Sequence, residues 1–478
     1  ATEAPSQFDI REQTRRLVMR LAASPLAKEV PPRLQRSLSN LAKAADPSQA
    51  AGRMAASVAG RSAEQSLRTF EGVVARAANI VFSTTNSGEL ERLIDERGQF
   101  DWAIVEEAAK ATGSELVSPL LLSHRRLMIG DHKQLPAFAS DQLKQLLAQP
   151  DRIHEAMKLG EEFIGRSLRD ATTEELLEDV AEEKSQLPAL CSEALRLLTF
   201  FESAIEAEFK RQAKGKGGRP IAKKLTAQHR MHPSIAELVS NCFYGDLKTD
   251  PTCEKRFATE PRPFTSADES RLPLVPIVVI DMPYVQSTPN QKQGDQYPAW
   301  HNPSEVRAAI EVLGLLRSLP QDAKEDPTLT ILSPYSRQRR ALDEAISDEL
   351  NKKLSHLNMF RSPSSNGQWC HTVDSFQGSE ADVVIVSLVR NNNHSSVQSA
   401  LGFLSDARRM NVLLSRAKWQ LVLIASTEFL REVMDAVRGT PDESRVEFLN
   451  KLLDGLDSGQ AKGDVKRVPF QTLLRSRK

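Results

Sequence analysis

Two adjacent carboxylates, Glu106 and Glu107, close the apolar run in DWAIVEEAAKATG, residues 101–113. Side chains alternate along a strand, so neighbouring acids at its end point different ways. Three roles suit them: a solvated strand terminus, a metal-and-base pair, or the start of a helix. Phosphoryl transfer needs the second arrangement, with one carboxylate on Mg²⁺ and one positioning or deprotonating the attacking water. A second apolar run, LMIGDHKQLPAF (127–138), ends in a turn that carries Asp131 and Gln134. A glutamine amide there can sense a γ-phosphate, although Gly-Asp is also common surface-turn chemistry.

Three later stretches add candidates. LTAQHRMHPSIAEL (225–238) sets Arg230 among His229 and His232. It reads as an exposed helix start with Pro233 in the first turn, or as a metal site for which no nearby Cys or further His completes the ligands. CHTVDSFQGSEADVVIVSLVRN (370–391) places Gly378 and Glu380 immediately before a buried strand, and glycine allows close approach of the backbone to a ligand. SDARRMNVLLSRAKWQLVLIAS (405–426) is a helix with Arg408, Arg409 and Arg416, followed by a strand. An arginine aimed at a transferring phosphate accelerates the reaction roughly 10³- to 10⁵-fold.

Strands must hold these residues. NIVFSTT, DWAIV and RLMIG are short apolar runs ending in polar or glycine turns, with helical segments between them. A second series, VPIVVID, TLTILSP, ADVVIVSLV and QLVLIAS, repeats the alternation. Strand–helix alternation predicts parallel α/β sheets, which bind ligands at the carboxyl ends of their strands. The pattern divides into a helical segment over 1–70, a partial first α/β domain over 71–140, a helical insertion and basic linker over 141–220, a second α/β domain over 221–430, and a C-terminal helix with a basic, frayed tail over 431–478. Asn302-Pro303-Ser304-Glu305 looks like a helix start, with Asn capping, Pro in the first turn and Glu reaching back.

Composition narrows the class. At 478 residues the chain exceeds one compact core, and with 26% charged residues and a net charge of +0 any nucleic-acid surface must be a local patch. The four cysteines have no paired spacing, which argues against a disulfide framework and suits a reducing, cytoplasmic setting. No apolar run reaches membrane-spanning length.

VEEAA, GDHKQLP, QHRMHPSI, TVDSFQGSE and RRMNVLLSRAK resemble, in order, motifs II to VI of superfamily 1 helicases. The branch is the one containing the up-frameshift helicase of nonsense-mediated decay and the DNA-replication helicase/nuclease. ANIVFSTTNSGE is similar to the family's upstream nucleic-acid-contacting motif. The resemblance implies two RecA-like parallel-sheet domains, the first incomplete, that hydrolyse ATP with Mg²⁺ and move on single-stranded DNA or RNA. It implies that Glu106 holds Mg²⁺, that Glu107 is the catalytic base, and that Gln134 contacts the γ-phosphate with support from Asp131. Arg230 and Arg416 resemble the two arginines that reach the phosphate from the second domain. His229 stands where the family usually has a tyrosine near the nucleotide base. Gly378 and Glu380 resemble residues beside the nucleotide, and Thr84, Thr85 and Thr372 resemble contacts to the nucleic-acid backbone. The family resemblance suggests 5′→3′ movement.

One element is missing. No G-x-x-x-x-G-K-[ST] occurs in the sequence, and that loop's amides and lysine would hold the β- and γ-phosphates. The simplest expectation is a C-terminal portion of a longer helicase. Motif II also departs from the family, with Glu106 for the usual Asp and Lys110 for the usual Gln. A helicase-like binding scaffold that no longer hydrolyses ATP is the alternative.

Overall fold

The computed structural model describes residues 78–87, 100–137, 139–163, 186–215, 217–286, 294–296, 300–319, 326–364 and 366–474. The helices expected over 1–70 and the middle of the expected insertion, 164–185, lie outside these residues. By internal packing the chain divides into one unit of Ala1–Ile104 with Glu115–Leu127, and another of Val105–Ser114 with Met128–Lys478.

In the first unit, NIVFSTT forms no strand, contrary to the expectation. Ile80 is 71% and Phe82 93% exposed, and no strand among the described residues pairs with this run. A strand without a neighbour leaves its amides unpaired, so propensity alone does not make one. The run closes in a turn, with Ser87 N donating to Thr84 O at 3.1 Å. Strands β1 (Ala103–Val105) and β2 (Arg126–Met128) make a two-stranded sheet.

The second unit is built on a six-stranded parallel sheet. In chain order, β3 (Ala227–Gln228) pairs with β4 (Lys248–Thr249), and β5 (Phe264–Ser266) with β7 (Leu316–Ser318), as small flanking pairs. The main sheet comprises β6 (Ile277–Asp281), β8 (Leu329–Ser333), β9 (Cys370–Thr372), β10 (Ala381–Ser387), β11 (Ala417–Ala425) and β12 (Val465–Pro469). Their order is β12-β6-β11-β10-β8-β9, parallel throughout. The central strands are buried almost end to end because helices cover both faces. Alternate residues feed opposite cores: Ile277 and Val279 join one cluster, Val278 and Ile280 the other. This is the α/β, RecA-like arrangement expected of the second domain.

The expected frayed tail is instead structural. After the helix Glu443–Lys462, Gly463 takes φ 89° and turns the chain into β12, which pairs with β6 in register from Val465↔Ile277 to Pro469↔Asp281. Val465 and Val468 are buried while Lys466 is exposed, so the lysine that suggested fraying merely faces water. Among the described residues no helix is long and apolar enough to cross a membrane, and the four cysteines are free and buried.

Candidate nucleotide site

Glu106 and Glu107 are both exposed where β1 ends on buried Val105. Glu107 takes φ 52°, ψ 35° and starts the one-turn 3₁₀ helix Ala108–Lys110. That left-handed backbone costs a non-glycine residue roughly 1–2 kcal/mol. It is held by Ala108 N donating to Ile129 O at 2.9 Å and Lys110 N donating to Glu107 O at 2.8 Å. The acids therefore sit on a sharp strand-to-helix turn, combining two of the alternatives left open above.

The next strand end is tightly organised. Asp131 Oδ1 accepts from Lys133 N at 3.0 Å, and Asp131 Oδ2 accepts from Gln134 Nε2 at 3.0 Å. Gln134 Oε1 accepts from Arg416 Nη2 at 3.2 Å. Arg416 is 2% exposed and also donates to Val412 O at 3.0 Å and Ser415 Oγ at 2.9 Å. Burial, and then the charge of Arg230, lower its pKa to about 10, against the pull of Tyr244, Glu107 and Glu380. It remains a cation at neutral pH.

Arg230 is aimed by Gln228, whose Oε1 accepts from Arg230 N at 2.8 Å and Met231 N at 2.7 Å. The Arg230 guanidinium bonds Glu380, which Lys418 also approaches at 3.1 Å. Burial pushes the Glu380 carboxyl up, but Arg230 and Lys418 together hold it below the usual range. Gln228, His229, Arg230, Arg256, Glu380 and Lys418 line an open cleft of about 450 Å³. Arg256 donates to the carbonyls of His229 at 3.3 Å and Arg230 at 3.1 Å. Gly378 takes φ 84°, and a Cβ there would meet nothing within 4 Å. Backbone conformation, not crowding, requires glycine at this position.

His229 and His232 serve different ends. His229 faces Asp250 across 3.7 Å, whereas His232 caps the helix Pro233–Val239 through Nδ1. Thr372 is not brought to the cluster. It ends β9 at the carboxyl edge of the sheet, where it shares a capping box with Ser375. Glu380 and Arg416 immediately precede β10 and β11, at the amino edge. In this sheet the charged cluster thus forms at the amino ends, not the carboxyl ends that α/β patterning predicts. Thr84 and Thr85 belong to the first unit.

Tyr244 and Asn411 escaped the sequence reading. The Tyr244 hydroxyl bonds Asp131 Oδ2 and accepts from Asn411 Nδ2 at 2.7 Å. In sequence, CFYGDL reads as an apolar run before a glycine turn, and nothing marks its hydroxyl.

The donor set suits a magnesium nucleotide. Carboxylate oxygens are the ligands Mg²⁺ prefers, and buried cationic guanidiniums suit phosphate. The exposed carboxylates of Glu106 and Glu107 are the groups at this strand end that could hold such an ion.

Two family models described as AAA domains match residues 5–141 and 201–428. DNA polymerase alpha-associated DNA helicase A of Saccharomyces cerevisiae is 31% identical over 224 residues, 45% of this chain and 29% of that protein. Probable helicase senataxin of Homo sapiens is 27% identical over 344 residues, 70% of this chain and 10% of that protein. Regulator of nonsense transcripts 1 homolog of Neurospora crassa is 27% identical over 217 residues, 43% of this chain and 17% of that protein. The chain thus spans less than a third of the length of these relatives. With these matches and the ordered motifs, the chain belongs to the superfamily 1 helicases of the up-frameshift type.

Proposed function

We propose that this chain is the hydrolytic and coupling part of an ATP-dependent helicase or translocase acting on single-stranded DNA or RNA in the cytoplasm. The observation that carries the proposal is the direct bond between Gln134, on the turn after β2, and the buried cation Arg416. The bond joins residues 282 apart in sequence and sets an amide and a guanidinium side by side. Both suit a phosphate.

In the proposed mechanism Glu107 orients the attacking water and accepts its proton, while Glu106 holds Mg²⁺. Arg230 and Arg416 stabilise charge that develops on the phosphate, the term that dominates such transfers. Gln134 and Asp131 carry the presence of the γ-phosphate to the arginine helix. Thr84, Thr85 and Thr372 grip the nucleic-acid backbone, so little base specificity follows. The loop that cradles the β- and γ-phosphates is not among these 478 residues. Turnover is therefore to be measured on the full-length protein.

There, single-stranded nucleic acid is expected to stimulate ATP hydrolysis. Glu107→Gln is expected to lower turnover by at least about a hundredfold while sparing nucleotide binding. Equal turnover in the two proteins would sink the site assignment. Nucleic-acid binding with no ATP turnover in the full-length wild type would favour the scaffold alternative. Strand displacement on DNA and RNA with either overhang then sets substrate and polarity.

A further inference from the structure

The Gln134 amide is committed at both ends, its nitrogen to Asp131 and its oxygen to Arg416. The Asp131 oxygen that fixes it is shared with the Tyr244 hydroxyl, which in turn accepts from Asn411. Asn411 lies on the helix Ala407–Leu414, and Arg416 follows that helix directly after its cap residue Ser415. The side chains of Arg416, Gln134, Asp131, Tyr244 and Asn411 thus form a chain of hydrogen bonds that begins and ends on the same segment. Asn411 Nδ2 also donates to Lys133 O at 2.9 Å, tying the backbone of the Asp131 turn to the same helix.

Tyr244 is aimed by an uncommon element. It ends a π-helical turn, Ser240–Tyr244, closed by Gly245 N donating to Ser240 O at 2.6 Å. Such turns widen a helix by one residue and redirect a side chain, often at functional sites. Lys133 lies 5.6 Å from the Tyr244 ring centroid and donates to Phe243 O at 2.7 Å, clamping the ring from the turn itself. Burial, then the Asp131 charge, raise the phenol's pKa, so the hydroxyl keeps its proton.

We propose that Tyr244 is the positioning residue for the phosphate-facing glutamine, fixing Gln134 through Asp131 and linking it through Asn411 to the helix that presents Arg416. The inference rests on the helicase reading. Tyr244→Phe keeps the ring and its packing and removes only the shared hydroxyl. Asn411 Oδ1 is buried without a partner among the described residues, so loss of the hydroxyl weakens a side chain with few bonds to spare.

In the full-length protein, Tyr244→Phe is expected to lower kcat about tenfold with little change in the KM for ATP. In a Gln134→Ala background the same change is expected to have no further effect. A loss of equal size in both backgrounds, or no loss in the wild-type background, overturns the proposal. Gln134→Ala and Glu107→Gln that both leave turnover intact would instead overturn the helicase reading. Hydrogen exchange on this chain tests the positioning without turnover. The Lys133 and Gln134 amides are expected to exchange about tenfold faster in Tyr244→Phe, with β10 unchanged. Unchanged exchange at those two amides overturns the positioning role whatever the reaction.

Discussion

Glu305 sits three residues after the helix cap Asn302, where a glutamate usually reaches back to the cap amide. Asn302 and Pro303 do what their sequence suggests: the Asn302 side chain accepts from Ser304 N and Glu305 N. Glu305 does not. It is fully buried and accepts from Ser387 Oγ at 2.6 Å and Val389 N at 2.9 Å. Val389 takes φ 72°, a conformation a β-branched residue rarely adopts, and its amide needs this acceptor. Local spacing made the cap legible. The destination of the glutamate was not, because its partners lie more than 80 residues away.

Burial pushes the Glu305 carboxyl from 4.5 up to about 8. The folded protein therefore keeps a proton that the unfolded chain releases between those values. The contribution to stability is full below pH 4.5 and is lost as pH rises toward 8. Between pH 5 and pH 8, the urea midpoint of wild type is expected to fall more than that of Glu305→Gln. Parallel pH dependences in the two proteins would contradict this. His232 works in the opposite direction, since burial and then Arg262 hold it at about 4. Because both proteins retain it, the comparison removes its effect.

At the scale of elements, the residues between GDHKQLP and QHRMHPSI carry more than a spacer would. The helices Leu187–Leu198 and Phe200–Ala213 pack on the motif turns themselves. A Cβ at Gly113 would lie 2.3 Å from Leu197 O, and one at Gly130 would lie 2.8 Å from Ala109 N and 3.1 Å from Phe201 Cζ. Glu202 bonds Arg408 at 2.6 Å and Lys144 at 3.2 Å, joining this helix to the arginine helix. Gly113→Ala must push backbone apart, at a cost of about 1–3 kcal/mol. Gly378→Ala meets open space and carries only the strain of its φ, about 1 kcal/mol. Thermal melting is expected to rank Gly113→Ala as the more destabilised; the reverse order would mean that the insertion helices do not hold Gly113 closely. The sequence announced these helices as an acidic helical insertion, but their docking partners are distant in sequence and left no mark on it.

Across the whole molecule, period and apolarity made β6, β8, β10 and β11 readable, together with the ordered motifs between them, whereas the three-residue β9 went unread. Strand order was not readable, because pairing joins strands far apart in the chain. The amino-edge position of Glu380 and Arg416 does not depend on that order, since each immediately precedes its strand in the chain. The last strand was missed for a different reason: a short, lysine- and arginine-bearing segment resembles a solvated end until a neighbour buries its two valines. A chain ending at Lys462 lacks β12 and the helix Phe470–Leu474, leaving an edge of β6 unpaired and apolar. Such edges template association. Size-exclusion chromatography is expected to show this truncation as aggregate; a monodisperse truncated monomer would assign β12 a dispensable role.

That pairing also gives the molecule a timetable. On the ribosome, β6 emerges long before the strand that completes its edge, an interval of roughly 10–40 s at ordinary elongation rates. Throughout it the nascent sheet carries an open, hydrophobic border that β12 seals only once it has emerged.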